Sequence, residues 1–171
     1  PKGIKILRCK KDLGPACKLF PTLHSIENID SYVLYCDDDW EYQPMWAQTF
    51  INNKLKNNSV IASSTFKVER LGKKNGSIVQ GFGGVLVQKR FFTDEDYNIP
   101  SPYQWVDDIW VSTCLRKNMI SVEKNKQAKQ FIKNGYRDNY ELQNATFLTK
   151  KRAELNLAAV NYSSDRYKIW I

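Results

Sequence analysis

The stretch "YVLYCDDDWEY", residues 32–42, joins an apolar run directly to three adjacent aspartates. The apolar part does not alternate with polar residues, which is typical of a short strand covered on both faces of a parallel sheet. Asp37, Asp38 and Asp39 follow where this central strand should end. Because open α/β sheets bind ligands at the carboxyl ends of their strands, the stretch predicts an α/β fold with a carboxylate-rich site at that edge.

The neighbouring segments extend the α/β pattern. "IKILRC" (4–9) is rich in β-formers and predicts a strand, and Pro15 suits the first turn of a helix that runs to about residue 25. No repeat or linker interrupts the chain, so we expect one domain over residues 1–171 with a mixed central sheet. The remaining predicted elements are a helix from Pro44, strands within 58–71 and 77–92 joined by the turn "GKKNG", a helix at 105–118, a strand at 120–124, a helix near 147–160 and an aromatic tail packed on the domain.

Composition limits the classes of function. The chain has 171 residues, 42% of them hydrophobic, which is enough for a packed core. No apolar run reaches the roughly 18 residues that a membrane-spanning helix needs. Lys and Arg number 26 against 18 Asp and Glu, so a nucleic acid, an anionic membrane surface or a phosphorylated substrate would be attracted. The basic residues are spread out, so charge alone does not choose among these partners.

The four cysteines carry no metal-binding spacing. Cys9, Cys17, Cys36 and Cys114 form no C-x-x-C pair, and three of them lie among apolar neighbours. We therefore expect reduced thiols and a cytoplasmic protein.

The three aspartates have two interpretations. They are either a solvated loop that caps the next helix, or ligands for a hard cation, because Mg²⁺ and Mn²⁺ prefer oxygen donors. Three carboxylates directly after a buried strand favour the cation. A D-x-D spacing lets one carboxylate reach the metal while another contacts a sugar or a ribose.

Two further motifs favour a phosphate-bearing ligand and a reacting hydroxyl. "DLGPACK" places Asp12 and Lys18 at the start of a helix, which suits a phosphate or nucleotide, although ordinary capping explains it equally well. "WVDDIW" places Asp107 and Asp108 in the first turn of another helix, where the helix dipole favours acids in any case. The functional alternative is that one of them is a general base. Between these motifs, the glycines of "GFGG" (81–84) permit either a β-bulge or the close approach of a ligand.

Taken in this order, the motifs resemble those of the metal-dependent glycosyltransferases with a GT-A fold. The resemblance runs from "IKILRCKKDLGPACKL" through "YVLYCDDDWEY" and "GFGGVLVQKRFF" to "WVDDIWVSTCLRKN". It covers residues 4–117, about two thirds of the 171 residues.

The resemblance implies a donor site for a nucleotide-diphosphate sugar, foremost a UDP-sugar, and a Mn²⁺ or Mg²⁺ cofactor. Asp39 would be the principal metal ligand together with Asp37, and Asp38 would lie near the sugar or ribose. Asp12 and Lys18 would contact the nucleotide, with Lys18 near phosphate. The enzyme would transfer a hexosyl or deoxyhexosyl group to a glycan or another hydroxyl acceptor.

The same resemblance implies an acceptor site around the second acidic pair. Asp108, beside Asp107, would deprotonate the acceptor hydroxyl, and attack opposite the departing nucleotide would invert the anomeric carbon. Gly83 and Gly84 would let the backbone approach the donor sugar and acceptor. Trp105 is either part of an acceptor platform or a core aromatic.

The sequence departs from the family pattern in two places. Members usually begin with a further strand, helix and strand, so we expect about 40 residues of the fold to be missing at the N-terminus. Many members also supply a late histidine to the metal, whereas the one histidine here, His24, precedes the aspartates and is expected on a helix.

Other functions stay open from the sequence. A metal-dependent phosphoryl-transfer enzyme or nuclease would need a second acidic cluster, which Asp107 and Asp108 could supply. A nucleic-acid-binding module fits the net charge of +8, but the aspartates would repel phosphate, so we expect no nucleic-acid partner. An inactive scaffold is the third alternative, and basic side chains would allow peripheral membrane contact.

Overall fold

A computed structural model describes residues 3–53, 58–135, 146–147 and 150–171. Four α-helices and ten short strands occur in these residues. The helices are α1 Phe20–Ser25, α2 Trp46–Asn52, α3 Asp107–Lys117 and α4 Arg152–Tyr167. The strands are β1 Tyr32–Tyr35, β2 Trp40–Tyr42, β3 Ser59–Ala62, β4 Thr65–Lys67, β5 Ser77–Val79, β6 Val85–Gln88, β7 Ser121–Lys124, β8 Ile132–Asn134, β9 Thr146–Phe147 and β10 Lys150–Lys151.

A mixed four-stranded sheet with the order β1-β6-β3-β7 forms the centre of the fold. β6 pairs antiparallel with both β1 and β3, while β3 and β7 are parallel. Three two-stranded ribbons, β2-β8, β4-β5 and β9-β10, lie outside this sheet. The expected mixed α/β architecture is therefore confirmed.

Both faces of the central sheet are covered by helices. Successive side chains of a strand point to opposite faces, so Val60 packs with α1, α3 and α4 in the larger core, whereas its neighbour Ile61 packs with α2 in a smaller one. Every residue of β3 and β6 is buried as a result. This sandwich holds the ends of β1, β5 and α3 near one another, where the candidate site lies.

The first predicted strand is absent. Residues 4–9 have no regular secondary structure, and the side chains of Ile4 and Ile6 are 66% and 76% exposed. A strand requires backbone pairing, and no described strand pairs with this segment. The β-rich composition of 4–9 is therefore not sufficient to form a strand here.

The strand before the aspartates lies at an edge of the described sheet. β1 has one neighbour, β6, and the pairing is antiparallel, so the expectation of a central parallel strand was wrong. Its apolar composition comes from burial between the two cores rather than from parallel neighbours: Val33 and Tyr35 face the larger core and Leu34 the smaller one.

The predicted helices agree with the structure in position more than in length. The helix expected from Pro15 divides into a 3-10 helix, Gly14–Lys18, and α1, with Leu19 between them. The helix from Pro44 appears as α2, with Trp46 and Phe50 buried, while its third expected apolar residue, Leu55, lies outside the described residues. None of the described helices is long and apolar enough to cross a membrane.

Candidate functional site

Three chain segments that are distant in sequence meet at the side chain of Lys18. Its ammonium group pairs with the carboxylate of Asp37, which follows β1, and with that of Asp107, the first residue of α3. The Lys18 Nζ to Asp107 Oδ2 distance is 2.8 Å. Asp107 is 2% exposed and Asp37 32%, so the ion pairs reach from the core to the surface. With the adjacent Asp108, we call these residues the Lys18 cluster.

A backbone amide holds Asp108. Gly81 donates its N–H to Asp108 Oδ1 at 2.9 Å, which connects the "GFGG" segment to the start of α3. A Cβ atom at Gly81 would lie 2.6 Å from Lys18 Nζ and 3.0 Å from Asp37 Oδ1. A side chain at position 81 would therefore displace the end of the Lys18 side chain from the place where it pairs with Asp37.

At Lys18, the neighbouring carboxylates together affect the pKa more strongly than burial does. Burial alone would lower the pKa of Lys18, but the negative charges of Asp107, Asp108 and Asp37 raise it above its usual range. Lys18 therefore stays charged at every physiological pH. The opposite balance holds at Asp37, whose pKa is raised because burial dominates over the pairing with Lys18.

Asp108 has the pKa of a group that exchanges protons near neutrality. Burial, followed by the charge of Asp107, raises the pKa of Asp108 to about 7, against the opposing effects of Lys18 and the Gly81 amide. Three carboxylates share one ammonium in the Lys18 cluster. The excess of negative charge can be relieved by a proton on Asp108 or by an additional cation.

Two tyrosines adjoin the cluster. The Tyr42 hydroxyl lies 2.8 Å from the carbonyl oxygen of Asp37 and 2.9 Å from that of Phe82, and its single proton can be donated to either. It therefore holds the aspartate segment against "GFGG". Tyr35 is buried under the cluster, and no described residue accepts a hydrogen bond from its hydroxyl. Burial and the nearby charge of Asp108 raise the pKa of Tyr35 well above its usual range.

The other two aspartates of the triplet lie at the surface. Asp38 and Asp39 are exposed, and both line a pocket beside the β2-β8 ribbon. Among the described residues, no three His, Cys, Asp or Glu side chains are grouped so that they could hold a metal ion. The triplet nevertheless offers hard oxygen donors, and proteins often hold Mg²⁺ through one or two carboxylates plus substrate phosphates. The donor chemistry of Asp37 and Asp39 thus fits a divalent cation.

The remaining predicted site residues lie around this centre at different depths. Asp12 is exposed, and its Oδ1 accepts the Gly14 amide at 2.7 Å, which is a local turn contact. Gly14 has φ +60°, and a Cβ there would collide with the backbone of Gln104 and lie 3.5 Å from the Trp105 ring. Trp105 is half-buried, so it packs beside the segment that carries Lys18.

Gly83 and Gly84 face the protein's own side chains. A Cβ on Gly83 would collide with the Ser63 hydroxyl, and one on Gly84, whose φ is +94°, would collide with the Trp46 indole. Trp46 also donates its indole N–H to the Gly83 carbonyl at 3.0 Å. The space in front of both glycines is therefore filled by packing.

Sequence reasoning named Lys18, Asp37, Asp107 and Asp108 as site residues of different roles, and the structure brings them together. It missed two residues that position them, Gly81 and Tyr42. The signal for Gly81 was its place as the first glycine of "GFGG", with one residue between it and the end of β5. Tyr42 gave no signal beyond its nearness to the aspartates. His24 lies on α1, as expected, and packs edge-on against the Tyr97 ring with centroids 5.7 Å apart.

No known family model matches the chain, and no curated protein and no solved structure is significantly similar to it.

Proposed function

We propose that the protein is a metal-dependent glycosyltransferase that transfers a hexosyl or deoxyhexosyl group from a nucleoside-diphosphate sugar to an acceptor hydroxyl. The observation that carries the proposal is the Lys18 cluster, in which one ammonium and three carboxylates from three distant segments meet between the core and the surface. Such a group can provide both a phosphate-binding cation and a base, and a sugar transfer from a diphosphate needs both.

Asp108 is suited to the role of general base. A base works best when its pKa is near the working pH, and the pKa of Asp108 is about 7. In the proposed reaction its carboxylate takes the acceptor hydroxyl proton, the acceptor oxygen bonds to the anomeric carbon, and the bond from that carbon to the diphosphate breaks. The Gly81 amide keeps Oδ1 of Asp108 in place, which leaves its other oxygen for the acceptor.

Lys18 is suited to neutralise the departing diphosphate. Its side chain is 18% exposed and is long enough for the ammonium to change partners without a backbone movement. In the structure it pairs with Asp37, so donor phosphate would compete with that carboxylate for Lys18. The carboxylate of Asp37, once released, would join Asp39 as a ligand for Mn²⁺ or Mg²⁺. When bound, the cation would offset the negative charge that develops on the leaving diphosphate.

Nucleotide release tests this proposal. The chain is incubated with Mn²⁺ and a panel of nucleotide sugars, and release of the nucleotide is measured for the wild type, Asp108→Asn and Asp39→Asn. We expect release from at least one donor and a loss of about 100-fold or more in Asp108→Asn, which is the usual size of a general-base effect. Asp165→Asn, an exposed aspartate on α4, is the matched control. Equal rates in wild type and Asp108→Asn would refute the assignment.

A phosphoryl-transfer enzyme or nuclease is the second candidate. It is favoured by one observation, the nearness of the Asp107 and Asp108 pair to Asp37, since acidic clusters serve two-metal chemistry. The pairing of Asp37 and Asp107 with Lys18 favours the transferase, because two-metal chemistry would need both carboxylates to bind cations instead. Cleavage of single- or double-stranded DNA or RNA in the presence of Mn²⁺, abolished in Asp37→Asn, would identify the nuclease.

A further inference from the structure

Trp40 and Phe82 form an aromatic pair between the two halves of the candidate site. Trp40 directly follows Asp39, and Phe82 directly follows Gly81, whose amide holds Asp108. Their ring centroids are 4.7 Å apart and the rings are inclined by 31°. Both side chains are only partly buried. Their rings are uncharged, so hydration of a charge does not explain why they stay partly exposed.

A pocket adjoins this pair on the side of the β2-β8 ribbon. Its volume is about 490 Å³, which lies in the usual range for small-molecule sites. Gly135 borders the pocket, and a Cβ there would collide with the Asp39 carbonyl, so the end of β8 lies directly against the aspartate segment. The lining residues are Asp38, Asp39, Trp40, Glu41, Asn134 and Gly135.

The lining suits a sugar ring. The face of an indole is electron-rich and apolar, so it packs well against the C–H face of a pyranose. Carboxylates accept hydrogen bonds from hydroxyl groups, and the Asn134 amide can both accept and donate. The pocket thus combines an aromatic ring with hydrogen-bonding groups.

The charge of the pocket restricts which sugar it can take. Asp38, Asp39 and Glu41 are all exposed and no positively charged side chain lines the pocket among the described residues. Like charges repel, so in the metal-free protein a sugar acid or a sugar phosphate would be disfavoured relative to an uncharged ring. This local charge is opposite in sign to the chain as a whole, which carries +8.

We propose that Trp40 and this pocket form the subsite for the acceptor, and that the acceptor ends in an uncharged sugar ring. The acceptor role rests on the proposed transferase function, whereas sugar binding as such does not. The position supports an acceptor rather than the donor because Phe82 follows the residue that holds the proposed base. Tyr42 bridges the carbonyls of Asp37 and Phe82 and so keeps the aromatic pair close to the Lys18 cluster.

Sugar binding is tested without catalysis. Saturation-transfer NMR is recorded in EDTA, with no donor, for neutral gluco- and galacto-oligosaccharides and for matched uronic-acid oligosaccharides. We expect binding of at least one neutral series, at least tenfold weaker in Trp40→Ala, which removes the whole stacking face, and within about threefold in Trp40→Phe, which keeps an aromatic ring there. Tyr32→Ala, which removes a 55% exposed tyrosine from β1, is the matched control.

A charge reversal in the pocket provides a second, independent measurement. Glu41 is exposed on β2, so Glu41→Lys should leave the fold intact. We expect its preference for neutral over uronic-acid sugars to fall at least threefold. Tighter binding of the uronic-acid series by the wild type, no sugar binding by the wild type, or binding that depends on Trp105 and not on Trp40 would each overturn the proposal.

Nucleotide release separates the two proposals. If a nucleotide sugar is turned over with dependence on Asp108 but sugar binding does not depend on Trp40, the subsite is wrong and the transferase stands. If Trp40-dependent sugar binding occurs without any nucleotide release, the transferase and the acceptor role fail and a sugar-binding site stands. In the active protein, we expect Trp40→Ala to raise the acceptor KM at least tenfold.

Discussion

Gly81 and Lys18 lie next to each other at the centre of the candidate site, so the size of the residue at position 81 affects where the Lys18 ammonium can lie. A Cβ atom at position 81 would displace the end of the Lys18 side chain, and the Gly81 amide orients Asp108. The aspartates and Lys18 were predicted as site residues from their types and order in the chain. Which carboxylate pairs with Lys18 could not be predicted, because that depends on distances between segments separated by up to about 90 residues, from Lys18 to Asp108.

The raised pKa of Asp108 predicts a pH-dependent stability. Because its folded pKa, about 7, exceeds the usual value of 3.8, the folded state holds a proton that the unfolded state has lost between about pH 4 and pH 7. The wild type should therefore lose stability relative to Asp108→Asn as the pH rises through this range. We expect a relative change of at least about 1 kcal/mol, since one pKa unit corresponds to about 1.4 kcal/mol.

Thermal or urea unfolding in EDTA at several pH values between 4 and 8 measures this effect. Asp165→Asn, far from the Lys18 cluster in sequence and exposed on α4, should run parallel to the wild type at every pH. A constant difference between wild type and Asp108→Asn would show that the pKa of Asp108 is not raised.

Substitutions at Gly84 and Gly72 distinguish the energetic cost of backbone strain from that of a steric collision. Both have positive φ, +94° and +72°, but a Cβ on Gly84 would meet Trp46 and Phe50, whereas one on Gly72 would meet nothing within 4 Å. We expect Gly72→Ala to cost about 1 kcal/mol of unfolding free energy, from the left-handed backbone alone, and Gly84→Ala to cost about 3 kcal/mol or more. Urea unfolding of the two variants side by side measures the difference, and equal losses would contradict the packing of Trp46.

At the scale of elements, α3 is joined to the loop before it by a buried ion pair. Lys117, in the last turn of α3, lies 2.6 Å from Asp96 Oδ1, and Asn118 donates to the other oxygen at 3.0 Å. Asp96 is fully buried and also caps its own turn by accepting the Thr93 amide. Helix α3 itself was predictable from its amphipathic pattern and its terminal charges. Its ion-pair partner Asp96 was not predictable, because it lies 21 residues from Lys117 in the chain.

Asp96→Asn should destabilise the protein. It leaves the Lys117 ammonium without its buried counter-charge, and breaking such a pair typically costs about 3–5 kcal/mol, although Lys117 is partly exposed and the loss should fall at or below the low end. The pKa of Asp96 is lowered: burial opposes this, but the hydrogen bonds from Lys117, Thr93 and Asn118 outweigh it. The stabilisation from Asp96 is therefore present above about pH 4, the unfolded pKa, and is lost as the pH falls through the lower folded pKa.

Denaturant unfolding at pH 7 and at low pH tests this pair. Asp94→Asn, an exposed acid in the same turn, is the matched control and should change stability by no more than about 0.5 kcal/mol. A loss in Asp96→Asn that is as large at pH 2 as at pH 7 would contradict the charge pairing.

Across the whole molecule, the last described residues close the larger core. Trp170 is 2% exposed, its carbonyl accepts the Lys74 amide at 3.2 Å, and its ring occupies the space in front of Gly76. The tail thus packs against the β4-β5 hairpin. Tail packing was predicted from its aromatic composition, but the partner was not, because hydrophobic attraction has no direction and any apolar surface could have received it.

Trp170→Ala should weaken the whole fold and the β4-β5 hairpin most of all. Truncating a buried tryptophan typically costs about 3–5 kcal/mol. Hydrogen exchange should show faster exchange in 65–79, and the overall unfolding free energy should fall. Ile171→Ala, at a side chain that is 73% exposed, should leave both unchanged. Normal protection of the hairpin in Trp170→Ala would contradict the role of the tail.

The sequence by itself determined the mixed α/β class, the approximate positions of α2 and α3 and the residue types of the candidate site, because local patterns of apolar residues, prolines and helix-terminal charges are read within a few positions. Only the tertiary structure decided that residues 4–9 form no strand, that β1 lies at an edge of the described sheet, and that Asp37 and Asp107 share Lys18 while Asp38 and Asp39 face a separate pocket. Strand pairing and charge pairing depend on which distant segments become neighbours. That choice is made by the packing of the whole core, and no single stretch of the chain contains it.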